Sequence, residues 1–516
     1  MKNRLRMTLP HGNNCQLSIV NCQFKLGLAG GLLCLWLLLG TQREFLVEVG
    51  TMTPFYLSSV WMKEMMAVGG WVAPFRMAAC ALCACMTRPW LGALLFTTLL
   101  VLLAGVWRKA LRLPPFLTFL YALPSCWLLV RFCRQGYDLY LDKAPGHVLS
   151  PLFMLLVLGA LVWLVRRLIK REPHRPPCSS SLVSHLACLL LFLLACLFSF
   201  RDANFHSILA MKHAADRGQW EEVLTEASRM HRDALSPTRT QVMLTRLALY
   251  KMGRSGEDTF RYPDGDAPYA ARTDNQYLRL MAGRTIYYHL GKVNYAYRWC
   301  MEDMVEYGER PDYLCYMCRA ALLNGENALA RKYAARLRTN PFYRREAEAL
   351  TAKAGDSRLI DADPTMRSIM PLMAYNDVLD GDGGRVEAYL LQSFASQQGG
   401  TREMTRLSLD ATLVLKDIPS FWRHFVRMLP VWMNEEEGHI PRHYQEAAIL
   451  FARLQGGIDL TGVPLDSQLI QRFDALVEAS AKGSAKGDDY NARALRPQFG
   501  DTYWYYYFFV TDLKTN

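Results

Sequence analysis

LVSHLACLLLFLLACLFSF, residues Leu182–Phe200, divides the chain into two parts of different character. It is the last strongly apolar run. Upstream, long apolar stretches alternate with short basic ones. Downstream, apolar residues recur at helical spacing among charged ones. Residues 1–200 hold 19 Lys and Arg against 6 Asp and Glu, a net of +13, whereas the remaining 316 residues stand at −1. The pI near 9.0 therefore arises in the apolar part, where basic residues flank apolar runs as they do beside membrane spans. That placement argues against a nucleic-acid partner, which needs its basic residues gathered on one folded surface. Eleven of the 14 cysteines also precede residue 200, and within apolar runs they act as small hydrophobes. Cys300, Cys315 and Cys318 are too few and too odd in number for a disulfide framework.

Working outward from Leu182, the upstream part predicts five membrane spans, at about 24–41, 90–107, 113–130, 148–165 and 182–200. Each apolar run approaches the length that a hydrocarbon core of roughly 30 Å requires. The first follows Lys2, Arg4, Arg6 and Lys25 and has no small-x-small cleavage site after it, which predicts an uncleaved signal anchor. Val68–Met86 is also apolar but contains Gly69, Gly70, Pro74 and Arg76. An Arg at the centre of a span costs about 3 kcal/mol on insertion scales. Loop charge arbitrates. If 68–86 does not cross, one side of the membrane carries 12 basic residues and the other 7; if it crosses, the counts become 8 and 10, with the N-terminal side the poorer. The positive-inside rule favours the first arrangement. Segment 68–86 is then re-entrant or interfacial, with a sixth span as the alternative. The N-terminus is expected in the cytoplasm and everything after Phe200 in the periplasm.

Downstream, the sequence predicts paired helices with short turns. Examples are Tyr277–Leu290 with Val293–Tyr307 across Gly291, and Asp312–Leu323 with Glu326–Leu337 across Asn324–Gly325. GQWEEVLTEA (218–227) and GENALARKYAARLRTNP (325–341) have the small and large residue spacing of tetratricopeptide-like repeats. The fold expectation is all-α: an N-terminal transmembrane helix bundle at 1–200, a tetratricopeptide-like α-solenoid at 201–355, and a further helical region with an aromatic end at 356–516. Stacked repeats make a concave surface. Tyr287, Tyr288, Tyr295, Tyr297, Trp299, Tyr307, Tyr313 and Tyr316 are the candidate lining of a groove there, since Tyr and Trp supply rigid contact area. The same residues also suit packing between helices.

Motifs for chemistry are weak. Asp264/Asp266, Asp361/Asp363 and Asp380/Asp382 are Asp-x-Asp triplets, but each adjoins Gly or Pro and reads as a turn or cap. LDGDGG (379–384) lacks the later glycine and glutamate of a calcium loop. His439 and His443 are separated by Pro441, which breaks the single helix face that a zinc pair needs. Cys315 and Cys318 have CxxC spacing inside a helical repeat and read as packed core thiols. No phosphate loop, dinucleotide fingerprint or nucleophile elbow occurs. No metal site and no cofactor are expected. Glu44 and Glu48 follow the first span on the outer side and are the candidate catalytic residues of an alternative, transferase reading.

TPFYL (53–57), PWLGALLF (89–96), TFRYPDG (259–265), YYHLGKVNYAYRWCMEDM (287–304), IPRHYQEAAILFA (440–452) and FGDTYWYYYFF (499–509) together resemble an uncharacterised family. It comprises Bacteroides-type polytopic inner-membrane proteins with a helical-repeat C-terminal half. The resemblance implies that PWLGALLF opens the second span. Segment 68–86 is more apolar and cysteine-rich than that pattern. The family carries no established activity and no catalytic motif, so the resemblance bears on architecture alone.

The functional expectation is a non-enzymatic interaction or scaffold protein of the cell envelope. Its partners would be the lipid bilayer and a periplasmic protein segment or glycan. The alternative is a glycan-modifying transferase acting through Glu44 and Glu48. Topology is directly testable. A periplasm-active reporter fused after residue 201 is expected to be active and a cytoplasm-active one silent; the opposite result reverses the orientation.

Overall fold

A computed structural model describes residues 29–111, 113–141, 145–169, 182–199, 202–232, 237–264, 276–373, 377–381, 383–436, 438–456, 458–483 and 488–510. Among these residues every regular element is helical and no strand occurs. The chain divides into two units. The first contains Met1–Ala203 together with Tyr307–Asp312 and Leu337–Arg344; the second contains Asn204–Glu306, Tyr313–Arg336 and Arg345–Asn516.

In the first unit, Ser59–Cys85, Pro89–Ala110 and His147–Ile169 are long and apolar enough to cross a membrane. The number becomes four if Leu186–Ser199 and Ala203–Asp216 count as one broken span. No more than 33% of any of the three apolar windows is buried within the protein, so most of their side chains face outward, where water would not favour them. Pro89–Ala110 and Ser150–Ile169 pack closely because Gly159 faces Val106; a Cβ at Gly159 would lie 2.8 Å from the Val106 side chain. Small residues at such crossings let backbones approach. The Ser125 hydroxyl donates to the Leu100 carbonyl at 2.7 Å, adding a polar tie between helices.

The expected spans differ in three places. Segment 68–86 falls within Ser59–Cys85, which is long enough to cross although Gly70–Val72 form a 3-10 turn. The expected span at 113–130 begins late. Pro115–Ala122 form a 3-10 segment and the α-helix is only Leu123–Cys133, because Pro124, inside the expected span, has no N–H to donate and its ring crowds the carbonyl four residues back. The expected span at 24–41 is described from Ala29 to Gly40, a short apolar helix; residues 24–28 of that expectation lie outside the described residues.

In the second unit, consecutive helices pack on one another. Val386–Ala395, Arg402–Val414, Ile418–Glu435 and Arg442–Gln455 form such a series, and Tyr503–Phe509 returns to pack against Arg442–Gln455. A proline inside a helix ordinarily ends it, so Pro430 would stop the helix that begins at Ile418. The helix instead runs through Pro430 to Glu435. An internal proline costs about 3 kcal/mol, but continuing the helix buries Trp432 completely against Phe425 and Tyr444, with ring centroids 5.3 and 5.7 Å away. Full burial of a large aromatic side chain is worth about 3 kcal/mol or more. A buried ion cluster fixes the C-terminal aromatic segment to this core. Glu446 is fully buried. One of its oxygens accepts from Arg442 Nε at 2.8 Å. The other accepts from the Tyr503 backbone N–H at 2.7 Å and sits 2.9 Å from His443 Nδ1. The Glu446 carbonyl accepts from Trp504 Nε1 at 2.6 Å.

Glu446→Ala would leave the Tyr503 backbone N–H buried without its acceptor and the half-buried Arg442 with Asp501 alone. Removing one partner from a buried ion pair costs about 3–5 kcal/mol. A clear fall in the thermal unfolding midpoint of the full-length protein is expected, with Glu446→Gln falling less. Equal midpoints for Glu446→Ala and the parent would show that the cluster is dispensable.

Candidate functional site

The second unit contains a cleft of about 530 Å³. Its walls come from the end of Arg239–Lys251, the turn and short helix through Ser255–Asp258, Pro364–Met373, Arg402–Val414 and the strip 436–444. Local interactions hold each wall. Arg239 pairs with the buried Glu387, and Arg246 donates to the same carboxylate at 2.9 Å, which anchors the helix that ends in Lys251. Asp363 caps Pro364–Met373 by accepting from the Thr365 and Met366 N–H groups at 2.9 and 3.1 Å. Gly291 lets the turn after Arg284–His289 close on that helix: its φ is +80°, and a Cβ there would lie 2.4 Å from Leu372 Cβ.

The charges of the cleft are mostly self-compensated. Arg402 donates to Glu435 at 2.7 Å, and Glu436 accepts from Arg406. Glu257 accepts from the Arg442 N–H and lies 3.2 Å from His439 Nε2. Lys251 and Arg367 are exceptions. Among the described residues neither has a carboxylate partner; Lys251 Nζ donates only to Ser368 Oγ, at 3.3 Å. Burial lowers the Lys251 ammonium pKa to about 7, with nothing opposing it. Deeper in, Tyr444 donates to Asp410 at 2.6 Å, yet burial raises the Asp410 carboxyl to about 6. Burial and the carboxylates of Asp410 and Glu403 raise Tyr250, so its hydroxyl stays protonated and donates to the Glu403 carbonyl at 3.1 Å.

This arrangement suits binding better than reaction. The Ser368 hydroxyl donates to the Thr365 carbonyl at 2.8 Å, so its proton is directed away from Lys251. Ser368 lies inside a helix, where the backbone N–H groups that could hold an oxyanion are engaged within the helix. Among the described residues no three His, Cys, Asp or Glu side chains gather for a metal.

The aromatic set named from the sequence lies elsewhere and does not line one groove. Tyr287, Tyr288, Tyr295, Trp299, Tyr307, Tyr313 and Tyr316 are buried, and Tyr297 is half-buried. Their contacts are with the chain itself. The Tyr287 hydroxyl donates to the Gly383 carbonyl at 2.5 Å, and the Tyr295 hydroxyl to the Gly381 carbonyl at 2.8 Å. Asn294 N–H donates to Asp377 at 2.8 Å, so the acidic, glycine-rich loop is bound in cis. The Tyr316 hydroxyl donates to Asp216 at 2.6 Å, Tyr288 packs edge-on to Tyr316 at 5.4 Å, and Tyr297 and Tyr333 share a 2.7 Å hydrogen bond. Arg279 covers Trp299 at 4.5 Å, Arg284 covers Tyr313 at 5.3 Å, and Arg310 covers Tyr307 at 5.8 Å.

In the first unit, Glu44 is half-buried and Glu48 fully buried on the Arg43–Met52 helix. The Tyr140 hydroxyl donates to Glu48 at 2.7 Å, and Arg310 Nη2 donates to the Tyr140 carbonyl at 3.3 Å. Of the Asp-x-Asp residues, Asp264 accepts from Arg246, Asp363 is a helix cap, and Asp380 accepts from Tyr389; Asp266 and Asp382 lie outside the described residues. His439 precedes the Arg442–Gln455 helix while His443 is buried within it. Cys315 and Cys318 are buried. The cleft residues carry no short sequence signal because they come from segments spread between Tyr250 and Tyr444, with no motif among them.

Fold and cleft together define an all-helical protein with apolar helices in its first unit and a polar cleft in its second. Residues 143–510 match the model of the family of unknown function DUF6057, and the chain belongs to that family. The family match begins after the first two of the three long apolar helices and names neither a source organism nor a membrane location. No curated protein and no solved structure matches the chain.

Asp410, behind the cleft residue Tyr444, gives the protein a pH signature. Its folded pKa of about 6 lies above the unfolded value of about 3.9. The folded state therefore holds the extra proton between these values, and stability falls as pH rises from about 4 to about 6. Two pKa units correspond to about 3 kcal/mol. Asp410→Asn keeps the acceptor for Tyr444 and removes the charge. The variant is expected to unfold at a higher temperature than the parent at pH 8 and to lose that advantage near pH 4.

Proposed function

We propose that this protein is a membrane-anchored binding protein of the bacterial cell envelope. The apolar helices of the first unit embed in the inner membrane as a multi-pass bundle with the N-terminus in the cytoplasm. The second unit lies in the periplasm and holds an extended polar ligand, a protein segment or a glycan, in its cleft. The observation that carries this reading is the 530 Å³ cleft, with charges of both signs, tyrosines on its walls and no nucleophile–base pair. Pockets of 300–1,000 Å³ are the usual size for a small ligand or a short segment. The helical-repeat pattern of the sequence and the loop-charge asymmetry support the placement. The transferase alternative stands second, because Glu48 is buried and engaged by Tyr140, whereas a general base needs reach to substrate.

The working surface differs from the one expected from composition. A tyrosine already bonded to the chain's own 377–383 loop offers little to a ligand. The test uses the full chain in its native membrane, with a photo-crosslinking residue at Glu403 or, as control, at exposed Lys332. Light-dependent capture of one discrete ligand from Glu403 and none from Lys332 is the expected result. Equal capture at both positions, or none at either, overturns the cleft as the binding surface.

A further inference from the structure

Within the cleft, compensation is uneven. Glu436 already pairs with Arg402 and Arg406, and Glu257 accepts from the Arg442 backbone N–H. Lys251 and Arg367 lack acidic partners among the described residues, and both line the same cleft as Ser368, to which Lys251 donates. Arg367 and Ser368 are solvent-exposed and Lys251 is half-buried, so a ligand reaches all three from the cleft. An ammonium partly removed from water, beside a guanidinium and a hydroxyl, has an unfilled requirement for negative charge.

We infer that Lys251, Arg367 and Ser368 form an oxyanion subsite, which holds a carboxylate or phosphate group at one end of the ligand bound in the cleft. This deepens the proposed function and rests on the cleft being its working surface. The fork of Arg367 suits two oxygens, Lys251 supplies a point charge, and Ser368, whose proton goes to the Thr365 carbonyl, positions the Lys251 ammonium through its oxygen. The pKa of Lys251 accords with the vacancy. Burial holds it near 7, and an anion placed beside it would raise it, since an opposite charge favours the charged form. The other titratable neighbours do not supply that charge. Burial lowers His289 to about 3, with Lys251 contributing, so its ring is neutral. Tyr250 is held protonated. Glu403 lines the same cleft without pairing to Lys251. Anion binding should therefore take up a proton and weaken as pH rises through 7.

Pulse acetylation of the full-length protein in nanodiscs of neutral lipid, read by mass spectrometry, tests this. Lys251 is expected to acetylate with a midpoint near pH 7, well below the other lysines. Inorganic phosphate or acetate should slow it selectively, by threefold or more at pH 7, and shift its midpoint upward. Protection by phosphate alone identifies a phosphoryl ligand group, and by acetate alone a carboxylate. Arg367→Gln should abolish protection while leaving the acetylation itself. As a second measurement, phosphate or acetate should raise the thermal midpoint of the parent but not of Lys251→Met. No effect of either anion on acetylation and thermal midpoint overturns the subsite. If Glu403 crosslinking still captures a ligand in that case, the cleft stands and only its anion specificity falls.

Discussion

A carboxylate enclosed in protein must be matched by donors, or it protonates or unfolds its surroundings. Glu446 meets that constraint with an arginine and a histidine from its own helix and a backbone N–H from the C-terminal aromatic segment. The chain end can bury Tyr503 and Trp504 only where this carboxylate lies. Arg442 extends the cluster to Asp501 at 3.0 Å, and Asp501 also accepts from Arg472 at 2.8 Å. The first turn of the same helix carries Tyr444, which reaches Asp410 and lines the cleft. One buried charge thus locks the C-terminal core and fixes a wall of the candidate site.

The cleft follows the same electrostatic logic with a different outcome. Glu435 and Glu436 beside it are answered by Arg402 and Arg406, so they shape the walls. Two basic groups are left over. Uncompensated charge at an accessible concave surface is where a ligand gains most, because its own charge replaces a missing partner. The aromatic cluster around Tyr287 and Tyr295 has the reverse character. Its hydroxyls and ring faces are taken up by the 377–383 loop and by Lys292, which lies 5.8 Å from the Tyr295 ring and 5.2 Å from that of Tyr389. There the chain satisfies itself.

The first unit shows how local chemistry departs from apolar length. Pro124 delays a helix that hydropathy alone would start at residue 113, and the glycines at 69 and 70 leave a 3-10 turn inside a long apolar stretch. Glu48, Tyr140 and Arg310 meet in a buried polar contact. Arg310 is covalently remote from both, yet Tyr307–Asp312 clusters with the first unit. Nothing in the local sequence around Arg310 marks it for that role, since its partner is a backbone carbonyl 170 positions away.

The sequence by itself determined the helical character, the apolar lengths, the charge asymmetry and several local devices. Asp363 as a cap before Pro364 and Cys315 and Cys318 as buried thiols are properties of neighbouring residues, and short-range rules read them. Whether Trp432 or Pro430 decided the end of a helix was not legible, because the burial that offsets the proline exists only after distant rings assemble. Nor could composition say whether Tyr287 would face a ligand or its own chain. The cleft was least legible of all: Lys251, Arg367, Glu403 and Tyr444 acquire meaning only as neighbours, and charge compensation is a property of three-dimensional distance. Tertiary structure decided which charges were answered within the chain and which were left for something else to answer.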